Sequence, residues 1–250
     1  MARQKGLFKI TGTLGDVNFY VIRGVGYARK AGGGFNGDAI RNKASMQRVR
    51  ENASEFGHCS RVKKAFRLAL LPLLHGYRNH KLHAQMMTLF TSIKSLDSIS
   101  ERGKRTVGMG LQTAKGQRLI RDFELTPQHG VLEALKHNVT FEWHTQTLTV
   151  TDFKPQDFKA PKAATHLGIS LGVLDFDFDS LDSSLMVSPT YFLEVGANAS
   201  SFVLTPEQVV VPAHVGFAVL GLRFFEVIEG EVYGLDSMIG VGIIDIRPHP

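Results

Sequence analysis

A chain of 250 residues, 43% hydrophobic and 21% charged, is long enough for one large or two ordinary domains, and this balance excludes global disorder. The longest apolar run, Leu68–Leu74, falls far short of the roughly 18 residues of a membrane span and contains Pro72, so no membrane partner is expected. One cysteine, Cys59, excludes an intramolecular disulfide framework; the basic start Met1–Gly6 lacks the apolar stretch of a signal peptide, so the expected location is cytoplasmic.

Charge is divided along the chain. Residues 1–128 carry 23 Lys+Arg against 8 Asp+Glu, a net of +15, and residues 129–250 carry 6 against 15, a net of −9. This polarity points to an acidic partner for the first half, either a polyanion or the acidic half of another copy. The expected domains follow the same line: 1–128 as a basic β-ribbon and helical module, 129–250 as an acidic antiparallel β domain.

In chain order, Leu7–Thr11 reads as a strand, residues 13–16 as a turn, and Val17–Arg23 and Tyr27–Lys30 as further strands of a ribbon. Residues 31–38 form a glycine-rich loop without the spacing of a phosphate-binding signature. A first helix is expected over about 44–57, burying Met46, Val49, Ala53 and Phe56 and ending at Gly57. Ser60 then caps a second helix whose wide apolar face is Val62, Ala65, Phe66, Ala69, Leu70, Leu73 and Leu74, bent or ended by Pro72. A third helix, about 80–96, buries Leu82, Met86, Leu89, Phe90 and Ile93; a glycine-interrupted segment leads on to Leu125.

The opening Met1–Gly6, the ribbon with Gly12, Gly15 and Phe19-Tyr20, the run Arg48–Gly57 and the later run Asp97–Arg105 are similar to an uncharacterised family of Bacteroidota proteins. The resemblance covers residues 1 to about 125. It implies a shared N-terminal module and brings no catalytic residues with it.

From Asn138 the hydrophobic period changes to two. Residues 139–143 and 146–151 form a hairpin, followed by strands over 166–179, 184–195, 209–211, 215–228 and 232–246. The expected fold is therefore α+β: an N-terminal β-ribbon plus helical module followed by an antiparallel β-sandwich-like domain.

Two charged groups stand out as interaction residues. On the basic helices, Arg41, Lys43, Arg48 and Arg50 precede Arg61, Lys63, Lys64 and Arg67, a set suited to phosphates. In the second half, Asp175, Asp177 and Asp179 alternate with Phe176 and Phe178, which on a strand places three carboxylates on one face. Such crowding needs opposing positive charge. An EF-hand is excluded, because Ser180 occupies the loop position that requires glycine and Met186 the position of the bidentate glutamate. His80 and His83 share a helical face without a third ligand, and Cys59 beside His58 is expected to be buried and idle.

No GxSxG, HExxH or CxxC pattern occurs, so neither an enzyme nor a cofactor is expected. The expected function is a non-enzymatic structural protein that self-assembles with copies of itself into a homo-oligomer or filament. The alternative is a nucleic-acid-binding protein using the basic helices. A weaker third reading makes the sandwich a ligand receptor with exposed aromatics near Trp143 or Tyr191.

Overall fold

The computed structural model describes residues 2–32, 37–126, 130–157, 159–209, 211–236 and 238–248. They fall into two compact units, Met1–Ala53 and Ser54–Pro250, with the division inside one long helix.

In the first unit four antiparallel strands, β1 (Ala2–Arg3), β2 (Gly12–Leu14), β3 (Val17–Ile22) and β4 (Val25–Lys30), lie in the order β1-β4-β3-β2. The β3–β4 turn sits on Arg23 and Gly24, both with positive φ (48° and 77°), the geometry whose twist matches a two-residue hairpin. Tyr20 and Tyr27 stack directly opposite each other across that hairpin, 5.7 Å between centroids.

Residues 7–11, expected as a strand, are irregular, and after β1 strand pairing resumes only at Gly12. The cause is Gln4. Its side-chain amide donates to the carbonyls of Ile10 and Tyr27 (3.1 and 3.0 Å) and accepts from Ile10 N (2.8 Å), replacing ladder bonds that a strand would make. The expected turn over 13–16 narrows to Gly15-Asp16, because Thr13 and Leu14 belong to β2. Of the glycine-rich loop, residues 33–36 lie outside the described residues. A short helix α1 (Gly37–Asn42) and one 3-10 turn (Ala44–Met46) complete the unit up to α2 (Gln47–Ala69).

Helix α2 runs through Gly57 and Ser60 without a break, which corrects the expectation of two helices. A helical glycine costs about 1 kcal/mol, too little to end a helix whose far half is packed. The expected stripe Met46, Val49, Ala53 and Phe56 is not buried, and Phe56 is 62% exposed. The buried stripe is instead Glu55, Cys59, Val62, Phe66 and Leu70, at helical spacing. It continues into the short helix α3 (Leu71–Leu74), where Pro72 sits in the first turn. Helix α4 (Leu82–Lys94) buries the five residues named for it. Helices α5 (Val107–Leu111), α6 (Ala114–Arg121) and α7 (Gly130–His137) follow.

The strands of the second unit form two sheets. One joins β5 (Val139–Glu142), β6 (Thr147–Phe153) and β10 (Ser200–Leu204) in the order β10-β6-β5. The larger is centred on β7 (His166–Phe176) and β11 (Val215–Ile228), paired antiparallel over eleven positions. Around them lie β8 (Ser183–Val187), β9 (Tyr191–Glu194), β12 (Glu231–Gly234) and β13 (Gly240–Arg247). The fold is α+β, with N-terminal strands and helices followed by antiparallel sheets.

Several expected strands change bounds. The long run 184–195 is two strands separated around Pro189, and 232–246 divides into β12 and β13. Strand β10 and helix α7 add to the expected elements. At 209–211, Val210 lies outside the described residues, while Val209 and Val211 are exposed and outside any strand.

Both faces of the large sheet are covered. Phe176, Phe217, Val219 and Ile243 point to the helices and share a core with Phe66, Leu70, Phe90 and Ile93. Ile169, Leu171, Leu220 and Leu222 point the other way and pack with Leu148, Val150 and Phe202 of the small sheet and Leu132 and Leu135 of α7. On the helical side, Gly172 and Gly221 leave room for Leu73, whose methyls would stand 2.9 Å from a Cβ added at either glycine. Between helices, a Cβ at Gly110 would lie 2.0 Å from the Ile93 carbonyl, so α5 approaches α4 only because Gly110 has none.

The loop between α4 and α5 is organised by two buried carboxylates. Glu55, 5% exposed, accepts from Lys94 Nζ (2.5 Å), Gly103 N (2.8 Å) and Arg105 Nε (3.1 Å). Burial pushes its carboxyl up, but the Lys94 and Gly103 hydrogen bonds and the Lys94 and Arg105 charges together hold it below its ordinary value. Asp97 accepts from the amides of Ile99, Ser100 and Thr106, and these bonds likewise outweigh burial. Across the same junction His58 Nε2 accepts from Val107 N at 3.0 Å, and burial lowers the His58 pKa.

Candidate functional site

The buried stripe of α2 fixes what its opposite face presents. Once Cys59, Val62 and Phe66 point inward, Gly57, Ser60, Arg61, Lys64, Arg67 and Leu68 must line the outer side, with Leu71 of α3 beyond them. Together with Lys63 and with His83 from α4 they enclose a groove of about 580 Å³. Its lining contains no carboxylate, and half-exposed Leu68 and Leu71 supply apolar surface.

Lys63 is the unusual member. It is only 7% exposed, and its Nζ lies 2.8 Å from His83 Nδ1. Burial, followed by the nearby Arg67 charge, lowers the Lys63 pKa. No salt bridge forms at Arg61, Lys63, Lys64 or Arg67 among the described residues. The positive charge of the groove is thus not neutralised from within.

The eight basic residues named from the sequence divide equally. Arg61, Lys63, Lys64 and Arg67 come together in this groove. The others lie in the first unit, and three of them have partners there. Arg41 pairs with Asp38, and Arg48 with Glu51 at 3.0 Å. Arg50 donates to the carbonyls of Ile40 and Lys43 (2.5 and 3.0 Å), so it ties the end of α1 to α2. Lys43 is exposed.

The acidic trio does not form the expected strand face. Strand β7 ends at Phe176, and the chain turns where Asp177 accepts from Asp179 N at 2.8 Å. That amide, acting against burial and aided by Ser180 and the His214 charge, lowers the Asp177 pKa. Asp175 accepts from Ala213 N and His214 N (3.1 and 2.9 Å), and its Oδ2 lies 3.3 Å from His214 Nδ1. Asp177 Oδ2 is 3.6 Å from His214 Nε2, so one imidazole stands between two of the carboxylates, while Asp179 is exposed. Among the described residues no group of His, Cys, Asp or Glu side chains is arranged to hold a metal ion.

Ser60 and His83 join the groove, although local pattern alone suggests a cap for the first and a surface position for the second. The signal that finds Ser60 is the spacing 57, 60/61, 64, 67/68, 71, visible once α2 is continuous, whereas His83 arrives from α4 and has no local signal. Cys59 is fully buried, and burial raises its thiol pKa, in keeping with an unreactive core cysteine. Of the two aromatics named for a receptor surface, Tyr191 is 37% exposed and stacks on Phe202 at 4.2 Å, and Trp143 is half-buried. Its ring lies against Gly216, its Nε1 donates to Asp245 at 2.8 Å and Phe141 meets it edge-on.

Two further surfaces carry exposed apolar side chains. In the first unit Leu7, Phe8 and Leu14 are 94%, 84% and 77% exposed, and Ile10 is largely so. In the second, the β11–β12 hairpin exposes Ile228, Val232 and Tyr233, which flank Glu229 and Glu231. No helix among the described residues is long and apolar enough to cross a membrane. Comparison with family models, with curated proteins and with solved structures yields no match.

Proposed function

We propose that the protein is a structural component that self-assembles, the strand unit of one copy docking on the acidic strand hairpin of the next. The observation that carries this reading is the apolar surface of the first unit. Gly26 is the one buried residue among the described residues of 2–53, while Leu7, Phe8, Ile10 and Leu14 face solvent. Covering each such side chain is worth about 1.5–3 kcal/mol, and a small sheet without a covered face is marginal alone.

Charge favours a second copy as the cover. Residues 1–53 carry 10 Lys+Arg against 3 Asp+Glu, whereas the second half of the chain is acidic. The β11–β12 hairpin combines exposed Ile228, Val232 and Tyr233 with Glu229 and Glu231, and β12 is a terminal strand of its sheet, as β2 is of the other. A sheet-edge strand in a basic unit and one in an acidic hairpin suit strand addition. Because the two surfaces differ, the contact is head-to-tail and produces rings or filaments rather than closed two-fold dimers.

Light scattering of the purified chain across concentration and salt tests this. Assemblies are expected that grow with concentration, loosen in high salt and shrink for Leu14→Lys and for Val232→Lys. A monomer under every condition overturns the proposal.

A further inference from the structure

We infer that the groove on the outer face of α2 binds nucleic acid through its phosphate backbone. The groove concentrates Arg61, Lys64 and Arg67 along one helix face, three residues apart, with Lys63 at its inner wall and no carboxylate in the lining. From Arg61 to Arg67 the helix axis advances about 9 Å, enough to meet more than one phosphate of a chain.

Lys63 argues that an anion is part of the intended state. Burying an ammonium group without a carboxylate is costly, and here its hydrogen-bond partner is a His83 ring nitrogen. A phosphate in the groove supplies the missing negative charge, and the Arg61 and Arg67 guanidinium groups match its oxygens in a two-pronged geometry. The Ser60 hydroxyl adds a neutral donor.

The same lining sets what the groove does not do. It holds no Phe, Tyr or Trp ring to stack a base and no Asn or Gln to read an adenine edge, and the His83 imidazole lies against Lys63. Binding is therefore indifferent to sequence and dominated by counterion release, with apolar Leu68 and Leu71 lying against sugar. A phosphodiester chain carries a charge at every link, whereas an acidic peptide does so only where its carboxylates are consecutive.

Fluorescence anisotropy of the full chain with labelled 20-nucleotide single strands and duplexes, titrated with salt, tests the inference. Binding is expected at low ionic strength and weakens steeply with salt. The triple substitution Arg61→Ala, Lys64→Ala, Arg67→Ala, all on exposed or half-buried positions, should weaken it at least tenfold. It should also lower the salt slope by about 2–3, at roughly 0.7–0.9 for each phosphate that is no longer neutralised. Lys43→Ala, outside the groove, should leave binding unchanged. Circular dichroism establishes that the triple variant is folded, and Lys64→Glu alone provides a second, milder variant expected to weaken binding in the same direction.

Three outcomes overturn the inference. These are no binding at low salt, equal binding by folded parent and triple variant, or binding of pyrophosphate or polyglutamate but not of the oligonucleotides.

Discussion

The strand unit Met1–Ala53 and the unit from Ser54 onward are built on opposite principles. The first is held by backbone ladders, the Gln4 amide and the Arg50 guanidinium, with its apolar side chains outside. The second has an apolar core on each face of one sheet, with Glu55 ion-paired and Asp97 held by backbone amides. Hydrogen bonds specify a backbone path at little net gain, whereas buried area supplies most of the free energy. Stability should therefore reside in the second unit, and the first should owe its exposed residues to a partner.

The sharpest way to break this contrast is at Glu55. Replacing it by Ala leaves Lys94, which is itself buried, without a counter-charge, and should cost about 3–5 kcal/mol in urea unfolding. Gly110→Ala comes next: the added methyl meets the Ile93 carbonyl, and overpacking of this kind costs about 1–3 kcal/mol, read as a lower Tm.

Acid titration has a smaller, graded effect. The folded pKa values of Glu55 and Asp97 are depressed, so the unfolded chain binds their protons first. Their contribution is complete above the unfolded pKa values near 4, and it is lost as pH falls through the folded ones. Asp97→Asn should flatten the fall in stability over that range. The smallest effect belongs to the strand unit. Phe8→Ser should change the stability of the chain by less than about 0.5 kcal/mol while reducing self-association in light scattering.

What the sequence discloses follows the strength of its periodicity. The bounds of β11 match the expected Val215–Ile228, and α4 buries the five predicted residues, because in both the apolar pattern is uninterrupted. Sequence pattern divides α2 in two at Gly57 and Ser60, and it misplaces the stripe because a buried carboxylate, Glu55, looks like a solvent position until its partners at 94, 103 and 105 are known. Those partners lie about 40–50 residues away, beyond any local pattern. The run 7–11 misleads for another reason, since its apolar residues read as a strand while the Gln4 side chain, three residues upstream, holds the backbone out of a ladder.

The groove is half visible in the sequence. All eight basic residues are apparent as charge, but only the structure separates Arg41, Arg48 and Arg50, which have partners nearby, from the four that converge. The change of charge sign near 128/129 also differs from the division between the compact units, at Ala53/Ser54, because charge records surface and compactness records core.

The position of β13 has a consequence for how the protein is made. Val241 and Ile243 belong to the core that covers the helices, and Val241 exchanges two hydrogen bonds with the Thr126 hydroxyl (2.7 and 3.2 Å). During translation, at about 5–20 residues per second, the ribosome needs roughly 6–25 s to travel from the end of α6 to the end of β13. Throughout that interval the inner faces of α2 and α4 lack part of their cover, which makes the nascent helices a natural client for chaperones.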